Sequence, residues 1–205
     1  NGYSFVSVSD EAFIKSNFSI KPYHLVDIIL GEEKTTPRLN DADGVEFEIY
    51  TPDFVRKVKE ICKQNGNLLM TGAYVGTELV LNNDTALINF AGKVLHFKWR
   101  TNQASKEGKV YGASPRKTGF EGDYCFNVER DGDVYGAESP DGIEPADALT
   151  TTIFRYSENN VSAGVAFNGD YGSVTLGFPF ETIQDQDARD TLMRQIIQFF
   201  ENAKK

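Results

Sequence analysis

Short runs of apolar residues alternate along this chain with stretches in which apolar positions recur every three or four residues. The runs predict buried strands, and the longer repeat predicts helices that pack by one face. The clearest pair is a strand, Leu25 to Leu30, followed by a helix. Thr51 is suited to cap that helix, Pro52 to start it and Gly66 to end it.

A second strand, Asn67 to Met70, follows this helix directly. A strand–helix–strand unit of this length predicts parallel pairing with a right-handed crossover. The two strands then end at the same edge of the sheet, where ligand sites of open α/β sheets form. Glu32 and Glu33 follow the first strand and a turn around Tyr74 follows the second, so we expect them to lie close together.

The rest of the chain adds strands and one long helix. Residues 86–142 contain short β-like runs, including DVYGAE, which predict a β-rich insertion or cap. Three strands follow, with the sequences TTIFRYS, SAGVAFN and GSVTLGF, and the chain then forms an amphipathic helix with a wide apolar face. We therefore predict a single α/β domain over residues 1–205.

Composition excludes several classes of function. The 205 residues are 40% hydrophobic, with a net charge of -9 and a pI near 4.8. An acidic chain is a poor match for nucleic acid or an anionic membrane, and no apolar run approaches the roughly 18 residues that span a bilayer. Because the chain begins with Asn1-Gly2, we expect it to be a fragment of a larger multidomain protein.

The metal-ligating and redox-active residues are few. Cys62 and Cys125 do not make a disulfide framework, and Cys62 is expected to be a small buried hydrophobe on a helix. His24 and His96 are far apart in sequence, which argues against a histidine-based metal site. We expect neither a metal nor a cofactor.

The turn after the second strand reads Gly72-Ala73-Tyr74-Val75-Gly76. Its glycine spacing matches the strand-to-helix elbow that presents a nucleophile in many α/β enzymes. A tyrosine, with an ordinary pKa near ~10, is a poor nucleophile, but it can act as a general acid or base or donate to a ligand. The alternative is that Gly72 and Gly76 only allow a tight turn, with Tyr74 covering the sheet edge.

Three glutamates are candidates for chemistry beside that turn. Glu32 and Glu33 either bind a ligand or form a solvated charged turn. Glu181 follows a strand in LGFPFETI, where aromatic neighbours are expected to desolvate it and raise its pKa; alternatively it caps the last helix. Two carboxylates facing one cleft are the minimum for glycoside hydrolysis, so Tyr74, Glu33 and Glu181 form the candidate catalytic set.

These motifs resemble the class I glutamine amidotransferase-like fold, in which a G-x-C-x-G elbow holds a nucleophilic cysteine and a late H-P-E segment supplies a histidine and a glutamate. Here Tyr74 stands at the cysteine position, and the FPFE segment keeps Glu181 without the histidine. The resemblance implies a three-layer flavodoxin-like fold with a mostly parallel sheet, helices on both faces and a β-rich insertion. With nucleophile and base both replaced, amidotransferase chemistry is not expected.

The chain also resembles domains of this fold in large secreted bacterial proteins that are labelled xanthan lyase or golvesin-type. The similar stretches are VSDEAF at 8–13, DIILGEE at 27–33, the turn at 69–76 and LGFPFETI at 176–183. This resemblance implies a secreted, periplasmic or cell-surface location. It also implies partners within the same polypeptide.

Two functions follow as expectations. The first is a non-catalytic module that binds a glycan or a neighbouring domain through Glu32, Gly72, Gly76 and Trp99. Trp99 belongs to a group of aromatic residues that form either a sugar platform or part of the core. The second is a polysaccharide hydrolase or lyase that uses Tyr74 with Glu33 or Glu181.

Overall fold

The computed structural model of the chain describes residues 2–17, 19–40, 44–81, 83–113 and 115–203. Its centre is a seven-stranded sheet. In spatial order the strands of that sheet are β1 (Val26–Gly31), β4 (Leu68–Gly72), β11 (Gly172–Leu176), β10 (Ser162–Asn168), β9 (Thr150–Tyr156), β6 (Lys109–Gly112) and β7 (Asp123–Cys125).

Two small sheets and six helices complete the described structure. The small sheets pair β2 (Thr36–Pro37) with β3 (Val45–Phe47), and β5 (Phe97–Thr101) with β8 (Gly142–Pro145). The helices are α1 (Asp10–Lys15), α2 (Pro52–Lys63), α3 (Thr77–Val80), α4 (Thr85–Lys93), α5 (Pro115–Thr118) and α6 (Gln186–Ala203). In the described part of the chain no helix combines the length and apolar character needed to cross a membrane.

The strand–helix–strand unit forms as the sequence predicts. β1 and β4 are parallel, with Val26 opposite Leu68, and α2 connects them. Thr51 caps α2 because its hydroxyl oxygen accepts a hydrogen bond from the Phe54 amide, and Pro52 is the first helical residue. β11 pairs in parallel with the other side of β4. Three parallel strands therefore end together at one side of the sheet, called the carboxyl edge below.

The expected three-layer flavodoxin-like fold with a mostly parallel sheet is wrong. Only β1, β4 and β11 are parallel, and β10, β9, β6 and β7 continue the same sheet as antiparallel strands. The connections explain this, because short turns at 157–161 and 169–171 join β9, β10 and β11. A parallel connection needs a crossover of a dozen or more residues, so these turns reverse the chain.

Residues 86–142, expected to form a β-rich insertion or cap, contain β5, β6 and β7. This segment supplies β6 and β7 to the main sheet and β5 to a small one, so it is continuous with the body of the protein. The run DVYGAE at 133–138 forms no strand and belongs to the loop between β7 and β8. Gly136 lets this loop pack on itself, since a Cβ there would lie 2.5 Å from the Glu129 backbone.

Each face of the sheet is covered by a helix. Successive residues of a strand point to opposite faces, so Leu68 and Met70 face α2 while Leu69 faces α6. The buried side chains of α6, Leu192 and Ile196, pack in the same group as Leu69. Both cysteines are free thiols, with Cys62 buried on α2 and Cys125 exposed.

Candidate functional site

The carboxyl edge brings together side chains from distant parts of the chain. Glu32 and Lys34 follow β1, Tyr74 follows β4, and Glu181 follows β11 in a single 3₁₀ turn, Phe180–Thr182. The loop between β7 and β8 adds two further side chains. The group, called the edge cluster below, consists of Glu32, Lys34, Tyr74, Tyr135, Glu138 and Glu181.

Tyr74 lies half-buried in the turn that joins β4 to α3. Its hydroxyl donates to Glu138 Oε2 at 3.4 Å and accepts from Lys34 Nζ at 3.4 Å. The Lys34 ammonium also lies 5.0 Å from the centroid of the Tyr74 ring. Partial burial raises the pKa of Tyr74 and the neighbouring Lys34 opposes that rise, so the phenol keeps its proton at neutral pH. It is therefore available as a hydrogen-bond donor.

Glu32 is held beside this tyrosine by the backbone of the covering loop. Its Oε1 accepts a hydrogen bond from the Glu138 amide at 3.0 Å, while its Oε2 is buried and has no partner among the described residues. Burial raises the pKa of Glu32 to about 7, and the carboxylates of Glu138 and Glu181 add to the rise. Protonated and ionised forms of Glu32 therefore coexist at neutral pH.

Glu181 is partnered by a tyrosine that sequence analysis did not single out. The Tyr135 hydroxyl donates to Glu181 Oε1 at 2.5 Å, whereas Glu181 Oε2 is buried without a partner in the described structure. Burial and the adjacent Glu181 raise the pKa of Tyr135 far above its ordinary value. Gly31 allows this approach: its φ is +58°, and a Cβ there would lie 2.9 Å from the Tyr135 oxygen.

Glu33, expected to share the site with Tyr74, lies outside the edge cluster. Its side chain is exposed, and partial burial together with the nearby Asp10 carboxylate raises its pKa. The chain therefore places Glu32 in the position next to Tyr74 that the sequence suggested for either glutamate. Both glutamates lie in the turn after β1, in which the Glu33 amide donates to the Leu30 carbonyl at 3.0 Å.

Gly72, Gly76 and Trp99, expected to bind a ligand, are packed into the scaffold. A Cβ at Gly72 would lie 2.8 Å from Leu30 Cβ, so this glycine allows β1 and β4 to approach. A Cβ at Gly76 would lie 2.8 Å from Trp99 Cδ1. The Trp99 indole nitrogen donates to Thr77 at 3.0 Å, and the ring lies half-buried against α3.

Asp141 occupies the end of the helix that follows the elbow. Its Oδ2 accepts hydrogen bonds from the Gly76 and Thr77 amides at 2.7 and 2.8 Å. Its Oδ1 accepts from the Thr77 hydroxyl at 2.5 Å and the Trp99 indole at 3.1 Å. Burial raises the pKa of Asp141 to about 6, and these donors act against the rise. Asp141 therefore satisfies the backbone amides at the start of α3, directly after the elbow.

Neither histidine reaches the edge cluster. His96 stacks on Phe167, and its ring nitrogens contact Asp147 at 2.6 Å and Tyr171 at 2.9 Å. His24 lines a small cavity beside α6. Within the described residues no group of three or more His, Cys, Asp or Glu side chains is placed to hold a metal ion.

Four residues of this edge were missed by the sequence analysis: Lys34, Tyr135, Glu138 and Asp141. Tyr135 and Glu138 lie in the run that was interpreted as a strand, and Asp141 follows Pro140 without any recognisable motif. Each acts through a contact with a residue 40 or more positions away in sequence. The available signal was the density of Gly, Asp and Pro between 131 and 142, which is typical of an ordered loop rather than of strands.

Comparison with known proteins leaves the family open. No family model matches the chain, and no curated protein matches it either.

Proposed function

We propose that this chain is a non-catalytic module of a secreted or periplasmic bacterial protein, and that it binds a glycan at the edge cluster. The observation that carries the proposal is the set of polar groups around Tyr74. A half-exposed phenol, the Lys34 ammonium and the Glu138 carboxylate lie at 3.4 Å from one another, at the long end of hydrogen-bond distances. Ligand hydroxyls can replace such long contacts with shorter ones.

The chemistry of the cluster suits a ligand rich in hydroxyl groups. Carboxylates accept hydrogen bonds from sugar hydroxyls, the ammonium and phenol donate to them, and the Tyr74 ring offers an apolar face. The site lies at the carboxyl ends of parallel strands, the usual position of ligands on such sheets. The expected location rests on the resemblance to secreted bacterial domains. A neighbouring domain of the same polypeptide is the other partner compatible with these groups.

The environment of the elbow supports binding rather than acyl transfer. Tyr74 stands where the resembled family has a nucleophilic cysteine, and neither histidine reaches the edge cluster. Acyl transfer needs a nucleophile, a base within reach of it and free donors for the oxyanion. The edge cluster contains neither a cysteine or serine nucleophile nor a histidine base.

One observation favours a second function, a polysaccharide hydrolase or lyase. A general acid or base works best when its pKa lies near the working pH. Burial raises the pKa of Glu32 to about 7, and Glu138 links this carboxyl group to Tyr74. In such an enzyme Glu32 takes the acid–base role that sequence analysis gave to Glu33, with Tyr74 or Glu181 as the second group.

The test is a panel of polysaccharides and glycosides in which binding and product release are both recorded. Tyr74→Phe removes only a hydroxyl, and Tyr111→Phe is the matched control, because Tyr111 lies on β6 and bonds to Asn160 instead. We expect binding without turnover, weakened by Tyr74→Phe and unchanged by Tyr111→Phe. Turnover that Tyr74→Phe abolishes would establish the enzyme. The absence of any binding would contradict the glycan proposal and favour a domain partner.

A further inference from the structure

The edge cluster is covered by a loop whose shape is fixed within itself. This cover loop comprises residues 128–138, between β7 and β8. Asp131 and Val134 exchange two backbone hydrogen bonds of 3.0 Å, which close a tight turn over Gly132. Gly136 packs directly on the Glu129 backbone. These contacts hold the loop as one compact unit.

The two ends of the cover loop are anchored firmly. On one side the Asn127 amide donates to the Thr182 carbonyl at 2.9 Å, and the Ala137 amide donates to the Asn127 carbonyl at 2.8 Å. On the other side the Pro140 carbonyl accepts a hydrogen bond from the Ala104 amide at 2.7 Å. Asp141 follows it and accepts hydrogen bonds from Thr77 and Trp99. The loop is therefore a rigid unit between two fixed points.

The contacts between the cover loop and the edge cluster are few by comparison. Tyr135 donates to Glu181, the Glu138 amide donates to Glu32, and the Glu138 carboxylate lies 3.4 Å from both Lys34 and Tyr74. Residues 129–134 are exposed to solvent. Val128 and Ala137, at the two ends of the loop, pack in the core as well, so the contacts above are those made by Glu138 and by the part of the loop between these ends.

Two carboxylate oxygens remain unsatisfied beneath the loop. Glu32 Oε2 and Glu181 Oε2 have no hydrogen-bond partner among the described residues and no contact with solvent. Buried polar atoms in folded proteins are nearly always paired, and an unpaired one weakens the state that buries it. Lifting the loop would admit water or a ligand to both oxygens.

We propose that the cover loop is a lid and that Tyr135 is its latch: the loop opens when the Tyr135 hydroxyl leaves Glu181, and Glu32 and Glu181 then become accessible. The inference deepens the proposed function, because it assigns a gate to the same site and rests on that site binding a ligand. Hinges of this kind lie in the few residues that join a moving unit to fixed ends. Here those residues are Val128 and Ser139.

The first measurement needs no ligand. In hydrogen–deuterium exchange of the whole chain, Tyr135→Phe should speed the exchange of the Glu138 amide, which Glu32 protects only while the lid is closed. Loss of one hydrogen bond to a charged group predicts an increase of about tenfold or more. Labelling of Glu181 by a water-soluble carbodiimide should rise as well. Tyr111→Phe should change neither.

If Tyr135→Phe leaves both the exchange of the Glu138 amide and the labelling of Glu181 unchanged, the proposal that the loop is a lid is wrong. If that variant fails to fold, Glu138→Ala is the second test, because it removes the contacts with Lys34 and Tyr74 and keeps the backbone bond to Glu32. The same increase in Glu181 labelling is expected, and its absence counts equally against the lid.

A second measurement separates the lid from the proposed function. A ligand that needs the open state loses affinity in proportion to the closed fraction. A glycan found in the panel should therefore bind Tyr135→Phe several-fold more tightly than the unaltered chain. Faster exchange without glycan binding would support the lid and contradict the proposed glycan ligand. Glycan binding with unchanged exchange would support the glycan ligand and contradict the lid.

Discussion

Asp141 is expected to stabilise the carboxyl edge more than any other single polar side chain there. It is fully buried, and it accepts hydrogen bonds from two backbone amides, one hydroxyl and one indole. The bonds join the chain before β8 to the turn after Tyr74. Asp141→Ala removes all four acceptor contacts without touching a member of the edge cluster.

The loss of unfolding free energy expected in Asp141→Ala follows from two opposing effects. Each donor that loses its partner in a buried site costs about 1–3 kcal/mol. Against this, burial raises the pKa of Asp141 from 3.8 to about 6. Ionising the carboxylate at pH 7 therefore costs the folded state on the order of 3 kcal/mol, and the alanine variant escapes that cost. Four donors lose their acceptor, and at about 1–3 kcal/mol each their loss exceeds this gain, so Asp141→Ala lowers the unfolding free energy at pH 7.

The pH dependence of the unfolding free energy tests the role of Asp141 more sharply than its value at pH 7. The pKa of Asp141 is higher in the folded chain than in the unfolded chain, so the folded state binds this proton more tightly. Its contribution to stability is therefore fully present below about pH 4 and is lost as the pH rises through about 6. The difference in unfolding free energy between the unaltered chain and Asp141→Ala should be larger at pH 4 than at pH 7.

Urea unfolding followed by far-ultraviolet circular dichroism at pH 4, 5.5 and 7 measures both quantities. Asp123→Ala is the control, because Asp123 is an exposed acid on β7. Asp141→Asn should lose less than Asp141→Ala at pH 7, since its amide oxygen still accepts from the backbone. A loss below about 1 kcal/mol for Asp141→Ala, or a loss that grows from pH 4 to pH 7, would refute the reasoning.

Three further substitutions test the scaffold and the latch. Thr51→Ala removes the cap that accepts from the Phe54 amide and should lower the unfolding free energy by about 1 kcal/mol in the same urea experiment, with Thr51→Ser restoring most of it. Leu192→Ala empties a fully buried position on α6 and should cost about 2–5 kcal/mol. Gly31→Ala puts a side chain on a left-handed residue and against Tyr135, so it should both destabilise the fold by about 1 kcal/mol or more and raise carbodiimide labelling of Glu181. A Gly31→Ala chain with unchanged labelling would contradict the close approach at the latch.

The local part of this fold could be predicted from the sequence. Thr51, Pro52 and the spacing of apolar residues determine α2, because capping and helical periodicity act over one or two turns. A helix between two apolar runs then makes their strands parallel, which places Glu32 and Tyr74 at the same edge. That step needed only the handedness of the crossover and no long-range contact.

The arrangement of the remaining strands could not be predicted in the same way. β9, β10 and β11 were recognised as strands, but their pairing in one mixed sheet depends on partners far away in the chain. The resemblance to a flavodoxin-like fold gave the wrong sheet, because it rested on short motifs at the strand ends. Those motifs occur wherever a parallel strand ends in a tight turn, whatever the rest of the sheet does.

The segment from Tyr135 to Asp141 shows why the site itself was only half predicted. Its two ends are held with unequal strength: Asp141 accepts four hydrogen bonds in a buried setting, whereas the Tyr135 side chain makes one hydrogen bond and follows the exposed residues 129–134. Motion should therefore concentrate at the Tyr135 end and stop at Asp141. Loss of the Tyr135 hydroxyl is expected to release the cover loop alone, while loss of the Asp141 carboxylate should also speed exchange of the Gly76 and Thr77 amides. The two variants thus separate a latch from an anchor, a distinction that depends on long-range contacts and that no local sequence pattern contains.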